Sequence, residues 1–381
     1  MALKDIGIIV NGATGRIGST QHLANALGPI RAEGGLDVSG ERVMPRLLLV
    51  ARNAAKLADI AKIHGAEWTT DLDAALARPE FSIFFDAAAT RQRVSALSKA
   101  IAAGKHIYSE KPVAPTVAEG LELLRAAQKR GLKTGAVEDK VNLPGLRKLA
   151  RLAAEGFFGR VTGFKLEFGW WVFDGAERPS QRPSWNYTKS SGGGMTSDMY
   201  PHWRYIIEDI LGPIRRVVSA VMTAQPERID EQGARFTVDV DDSAVTMLEM
   251  ESGALGTIVS SWATRVRRDD LVTLQIDGTG GSAVSGVHRC YAQSAADTPS
   301  LKHINPDTDS GIDHFVAWRE VDNAGSHINP YRVGWEAFLR HVVAGTPLRS
   351  DLTAGIRDVQ LVEACTRSAS ERRWVDLDDI A

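Results

Sequence analysis

Apolar residues fall in short unbroken runs through the first third of the chain and in alternation afterwards, so two different sheets are expected. Ile6 to Asn11 reads as a buried strand, Gly12 to Gly18 as a turn, and Ser19 to Leu27 as a helix. A Gly- and Pro-punctuated stretch, residues 28–45, delays the second strand to Arg46–Ala51 (RLLLVA) and reads as a surface insertion. Further strands are expected at Glu67–Thr69, Phe81–Ala87, His106–Ser109 and Lys133–Ala136. Helical patterns lie around them at Ala54–His64, Asp71–Ala77, Arg91–Ala103 and Val117–Arg130. Alternation at this length implies a doubly wound parallel sheet with helices on both faces, and ligands bind such sheets at the carboxyl ends of the strands.

The texture changes after Asn142. A helix over Leu143–Glu155 leads to long alternating segments at Val161–Trp171, Arg215–Ala224, Val238–Glu251, Ala254–Arg265 and Leu271–Ile276, which predict an antiparallel or mixed sheet. Two helical patterns, Val333–Ala344 and Thr353–Ser370, and a short strand at Trp374–Leu377 close the chain. The fold class is therefore α/β with two domains, residues 1–139 and residues 140–381.

Composition narrows this picture more than it changes it. A chain of 381 residues exceeds what one core organises, which agrees with two domains. The net charge of -2 argues against nucleic acid as the main partner, because phosphate binding shows as a basic excess. The two cysteines, Cys290 and Cys365, have no spacing that suggests a disulfide framework or a zinc site, so a reducing cytoplasm is expected. No apolar run approaches the roughly 18 residues that a membrane helix needs, and the first residues lead directly into a strand without a leader.

The turn GATGRIG carries the first chemistry. Gly12, Gly15 and Gly18, with Ala13, Thr14, Arg16 and Ile17 between them, end a strand and open a helix. Glycines there let backbone amides approach a pyrophosphate at the positive end of the helix dipole. The second strand ends in Val50-Ala51-Arg52-Asn53, where an NAD site usually has an acid for the ribose 2'-hydroxyl. Arg52, with Lys56 one turn on, suits a 2'-phosphate instead, so NADP is favoured over NAD. A solvated loop arginine is the alternative, and the unusual insertion leaves open that another residue faces the ribose.

With that loop in place, AAGKHIYSEKPVA at residues 102–114 and SSGGGMTSDMYPHWRYIIEDILG at residues 190–212 resemble the glucose–fructose oxidoreductase, inositol dehydrogenase and rhizopine-catabolism family (Gfo/Idh/MocA). The resemblance spans nearly the whole chain. It implies an N-terminal Rossmann domain, a C-terminal α+β domain with a large open, mostly antiparallel sheet, and hydride transfer between NAD(P) and a sugar, polyol or related hydroxyl compound. It also implies that Glu110, Lys111 and Pro112 lie beside the nicotinamide, with a cis bond before Pro112, and that no metal is needed. Three departures stand out. The glycine loop has two residues between Gly12 and Gly15 where one is common. The turn Ala87-Ala88-Ala89-Thr90 replaces a Thr-Pro-Asn type, though Ala88 and Thr90 remain cofactor-contact candidates. Asp139-Lys140 replaces a frequent Asn-Arg pair, with Lys140 a candidate for the substrate.

Oxidising an alcohol requires a base on the hydroxyl oxygen while a hydride leaves its carbon. His202, with an ordinary pKa of about 6.5, suits the proton, and Asp198 lies four residues earlier on the same helical face, placed to orient the ring or bind substrate. Lys111 would supply positive charge to the same oxygen. A helix histidine packed against Trp203 and Tyr205 is the plain alternative, and Asp198 with His202 as a metal pair lacks a third ligand nearby. The segment between the domains supplies Trp171, Trp185, Asn186 and Tyr187, groups that cover a sugar face and bind its hydroxyls, while Arg178 and Arg182 could pair with a carboxylate. The leading expectation is a dehydrogenase of a sugar, polyol or sugar acid. A reductase of C=C or imine bonds and a nicotinamide-binding sensor are the alternatives. An open sheet face needs cover, so a homodimer or homotetramer is expected.

Overall fold

The computed structural model describes residues 3–268, 270–300, 305, 307, 313–323, 325 and 327–380. The first sheet contains β1 (Leu3–Asn11), β2 (Leu36–Val38), β3 (Glu41–Val50), β4 (Glu67–Thr69), β5 (Phe81–Asp86), β6 (His106–Ser109) and β7 (Thr134–Ala136). Their order is β2-β3-β1-β5-β6-β7, with β4 beside the end of β3, and every pairing is parallel except β2 with β3. Ile8, Ile9, Val10, Phe84 and Phe85 are fully buried between helices on the two faces, which explains their unbroken apolar runs. Those helices include α1 (Ile17–Leu27), α2 (Ala54–His64), α3 (Leu72–Leu76), α4 (Thr90–Ala102) and α5 (Val117–Lys129).

Two features differ from expectation. Residues 28–45 are an ordered part of the sheet edge: one helical turn, Gly28–Ala32, then β2 doubling back on β3, whose strand begins at Glu41 and ends before Ala51. Pro45 masks that early start because proline reads against a strand. It is tolerated because β2 flanks β3 only through Val43 and β4 only from Leu48, so Pro45 sits where one side of β3 has no neighbour. Helix α1 starts two residues early and is wound as a wide π-helix, its closing N–H on Gly28 reaching back five residues to the Leu23 carbonyl.

Among the described residues the second sheet has nine strands: β8 (Val161–Gly169), β9 (Ile214–Met222), β12 (Ser243–Met250), β13 (Leu255–Ser261), β14 (Val272–Gly278), β15 (Gly281–Ser285), β16 (Cys290–Ser294), β17 (Arg319–Glu320) and β18 (Val375–Asp376). The order is β17-β16-β15-β14-β8-β13-β12-β9-β18, antiparallel throughout except for β8 with β13. A separate ribbon pairs β10 (Glu227–Ile229) with β11 (Arg235–Thr237). The ribbon and β15 to β17 escape the alternation pattern because they are short and interrupted by glycine and charge. The strand expected from Val238 begins only at Ser243, since Asp242 turns inward to accept from the Ala224 and Gln225 amides and to pair with Arg228 at 2.8 Å.

Helices α7 (Met195–Leu211) and α9 (Leu352–Glu371) pack on β9, β12, β13 and β18 of this sheet, and α6 (Pro144–Ala154) packs on β15 and β16 and against α7. Helix α8 (Pro330–Ala344) returns to the first sheet, where Trp335, Phe338 and Leu339 share a core with Leu23, Phe85 and Tyr108. Arg204 locks α7 in place, reaching Glu138 after β7 at 2.5 Å and Asp358 of α9 at 2.6 Å. Among the described residues no helix is long and apolar enough to cross a membrane.

Candidate active site at the carboxyl ends of the first sheet

Three turns meet where β1, β5 and β6 end. In the glycine turn, Gly12 has φ +80°, and a Cβ there would lie 2.6 Å from the Ala87–Ala88 backbone. A Cβ on Gly18 would meet the Gly12 carbonyl at 2.5 Å, so the helix can approach this closely only with glycine at that position. The N–H groups of Ile17 and Gly18, at the start of α1, have no acceptor among the described residues, and Arg16 beside them is exposed. This is a cradle of unfilled donors at a helix N-terminus, which fits a nucleotide pyrophosphate. Ala13 is buried against the sheet and Thr14 is half-buried.

The turns are tied together by a buried pair that the sequence patterns did not reveal. Asp86, ending β5, accepts from Asn11 at 2.7 Å and from Arg93 Nε at 2.9 Å. Arg93 extends its other nitrogens to the carbonyls of Pro112 at 2.5 Å and Ala88 at 2.7 Å, with a long contact to Thr90. The missing Thr-Pro-Asn polarity is thus replaced by backbone contacts. A charged residue closing an otherwise apolar strand, FSIFFD, was the available signal.

The Lys111–Pro112 bond is cis. Glu110 receives the Lys111 amide at 3.1 Å and faces His22 of α1, 2.8 Å from its Nε2. Trp335 donates to His22 Nδ1 at 2.9 Å, so Nε2 carries the ring proton and donates to the Glu110 carboxylate.

Lys111 reaches across to the second part of the chain. Its Nζ donates to the Asp198 carboxylate and to the Asp198 backbone carbonyl, both at 2.7 Å. Arg182 Nη2 lies 2.8 Å from the other Asp198 oxygen. Burial alone would raise this carboxyl, but Lys111 and Arg182 outweigh it and hold its pKa down at about 2. Asp198 sits in the first turn of α7, whose N-terminus is capped by Asp241 accepting the Thr196 amide at 2.8 Å. One turn on, buried His202 has its pKa pushed well below the usual value, first by burial and then by Lys111, Lys140 and Arg182. Its Nδ1 lies 2.5 Å from the Tyr205 hydroxyl, so Tyr205, not Asp198, orients the ring. Trp203 and Tyr205 do pack edge-on against His202, as the plain reading expected.

The remaining candidates separate. Lys140 pairs with Asp139 and lies over the Tyr331 ring. Asn186 is buried, and its Oδ1 has no partner among the described residues. Trp171 and Trp185 are exposed. Tyr187 is drawn into the core against Trp262, its hydroxyl donating to the Phe173 carbonyl at 2.8 Å. Arg52 is exposed, while Asn53 caps α2 by accepting the Lys56 amide at 3.0 Å. Among the described residues no group of three His, Cys, Asp or Glu side chains could hold a metal.

Comparison with known proteins identifies the family. Residues 6–137 match the model of an oxidoreductase family with an NAD-binding Rossmann fold, and residues 146–284 match the GFO/IDH/MocA C-terminal domain. The chain is 45% identical to D-xylose dehydrogenase of Paenarthrobacter nicotinovorans, covering 98% of both chains. It is 24% identical to levoglucosan dehydrogenase of Pseudarthrobacter phenanthrenivorans over 88% of this chain and 90% of that one. A solved levoglucosan dehydrogenase in complex with NADH and levoglucosan superposes with a TM-score of 0.81 at 21% identity, covering 98% of this chain and 100% of that one. A Rossmann sheet joined to a large, mostly antiparallel sheet, matched in both halves, makes this chain an oxidoreductase of the Gfo/Idh/MocA family.

Proposed function

We propose that the chain is a cytoplasmic, NAD(P)-dependent dehydrogenase that oxidises a hydroxyl of a small sugar, polyol or sugar acid, with NADP preferred. The observation that carries this reading is the ion pair of Lys111, just after β6, with Asp198, one helical turn before buried His202. The 45% identical D-xylose dehydrogenase favours an aldose as substrate class. The Gly12–Gly18 turn, Ala88, Thr90 and the Glu110-Lys111-Pro112 turn would hold the dinucleotide. When bound, nicotinamide supplies the carbon that accepts the hydride.

The protein's own part is proton and charge management. His202, kept neutral by its surroundings, takes the hydroxyl proton. Lys111 stabilises the developing alkoxide, while Asp198 anchors Lys111 and Arg182 around the reacting carbon. Lys140, Arg182 and the Asn186 Oδ1, which has no partner among the described residues, would meet substrate hydroxyls, with Trp171 and Trp185 as exposed apolar cover. Tyr187 supports them from the core. Cytoplasmic placement is supported by the two cysteines, both free and buried.

The test is NAD(P)H fluorescence followed with a panel of pentoses, hexoses, polyols and sugar acids. Turnover is expected with at least one aldose, and Lys111→Ala should reduce kcat by about 100-fold or more with cofactor affinity retained. Firm NADPH binding with no turnover across the panel would favour the sensor reading, and an unaffected Lys111→Ala would favour reduction of a non-sugar bond.

A further inference from the structure

A buried phenol and carboxylate decide which nitrogen of His202 is free. The Tyr205 hydroxyl lies 2.5 Å from His202 Nδ1 and 3.2 Å from Asp139 Oδ1, and it also accepts the Lys140 amide at 3.3 Å. A phenol has one proton to give. Asp139 is fully enclosed, yet the Lys140 ammonium against its other oxygen, with the Tyr205 and Tyr331 hydroxyls, keeps its carboxyl below the ordinary range. An ionised carboxylate is the stronger acceptor. With Tyr205 donating to Asp139, its oxygen faces Nδ1 with a lone pair, and Nδ1 then carries the ring proton. Nε2 is left bare, and it makes no hydrogen bond among the described residues. Burial first, and then the charges of Lys111, Lys140 and Arg182 from three other segments, keep the ring neutral. For a neutral ring, the tautomer is what determines whether it can act as a base.

We propose that Tyr205 and Asp139 are positioning residues that hold neutral His202 with its proton on Nδ1, so that Nε2 takes the substrate's hydroxyl proton. The proposal rests on His202 being the base. In the transfer, the substrate O–H breaks and an Nε2–H forms while Nδ1–H stays on the ring, and the resulting imidazolium is stabilised through Tyr205 by Asp139. An amide at position 139 can donate to the phenol as well as accept, which would let Tyr205 turn its proton toward Nδ1 and favour the wrong tautomer.

The experiment is nitrogen NMR on the full-length protein with labelled histidine, where nitrogen shifts and couplings identify the protonated atom. His202→Gln assigns the His202 signal among the nine histidines. The wild-type ring is expected to be protonated on Nδ1 near neutral pH. In Tyr205→Phe and Asp139→Asn the proton should move toward Nε2, and kcat should fall about 10- to 100-fold with cofactor Kd unchanged. A wild-type proton on Nε2 overturns the inference, whether or not the variants fold. So does a Tyr205→Phe protein that keeps both the tautomer and kcat. Full turnover by His202→Gln overturns the base assignment itself, and only then does the inference fail with it.

Discussion

At the residue scale, the proposed preference for NADP rests on Arg52. It lies two residues after the end of β3, is exposed, and makes no hydrogen bond or ion pair among the described residues, so its guanidinium is available to a ligand. The inserted segment does not displace it: β2 pairs with Glu41 to Val43, at the opposite end of β3 from Arg52. Asn53 is less available, because its oxygen is used as the α2 cap. A charged hydrogen bond to a phosphate contributes about 1.5–3 kcal/mol. Arg52→Ala should therefore weaken NADP by about tenfold or more while leaving NAD within about twofold, as read by fluorescence titration of both cofactors. Equal losses for the two would remove Arg52 from the 2'-phosphate.

At the element scale, what matters is how separate turns are kept in register. Arg93, on α4, grips Asp86 at the end of β5, the turn after it through Ala88, and the cis-proline turn through Pro112, while Asp86 also holds Asn11 before the glycine turn. Both charges are almost wholly buried, so removing one leaves the other uncompensated, at a cost of about 3–5 kcal/mol. Arg93→Met, similar in length but unable to bond, should lose that much stability in denaturant unfolding and loosen cofactor binding. Arg93→Lys should recover little, because an ammonium cannot reproduce the fork. A Met variant within about 1 kcal/mol of wild type would show that the turns hold without the clamp. This network also marks the limit of what the sequence could tell. Strands β1, β5 and β6 and the glycine turn follow from periodicity and glycine spacing, and the proposed Lys111, Asp198 and His202 set from family resemblance. The Asp86–Arg93, His22–Glu110–Trp335 and Tyr205–Asp139 contacts join residues between 7 and 313 positions apart, and most of them cross between elements whose packing no local pattern encodes. Asn186 and Tyr187 show the same limit in reverse. They are adjacent in an aromatic loop, yet one keeps an unpartnered oxygen and the other is consumed by the core.

At the scale of the whole molecule, among the described residues α7 and α9 pack on one face of β9, β12, β13 and β18 in the second sheet. On the other, alternate residues of three adjacent strands are apolar and exposed: Met222 of β9, Val245 and Met247 of β12, and Leu255 and Val259 of β13. Val245 stands directly opposite Val259, so these side chains form one patch rather than scattered exceptions. Charged groups border it, with the Arg216–Glu249 pair on one side and Lys165 and Glu167 of β8 on the other. Contiguous apolar surface with a charged rim characterises an interface, and a two-fold axis through the patch would bury it against its own copy. The protein should therefore run as a dimer or tetramer in light scattering. Replacing Val245 and Met247 together by lysine puts like charges at the centre of that contact without touching the face packed on α7 and α9. The double variant should become monomeric while its unfolding midpoint at low protein concentration stays close to that of wild type. A wild-type protein that is monomeric at micromolar concentration would mean that the patch has some other cover, and a double variant that keeps its oligomeric mass would place the subunit contact on a different surface.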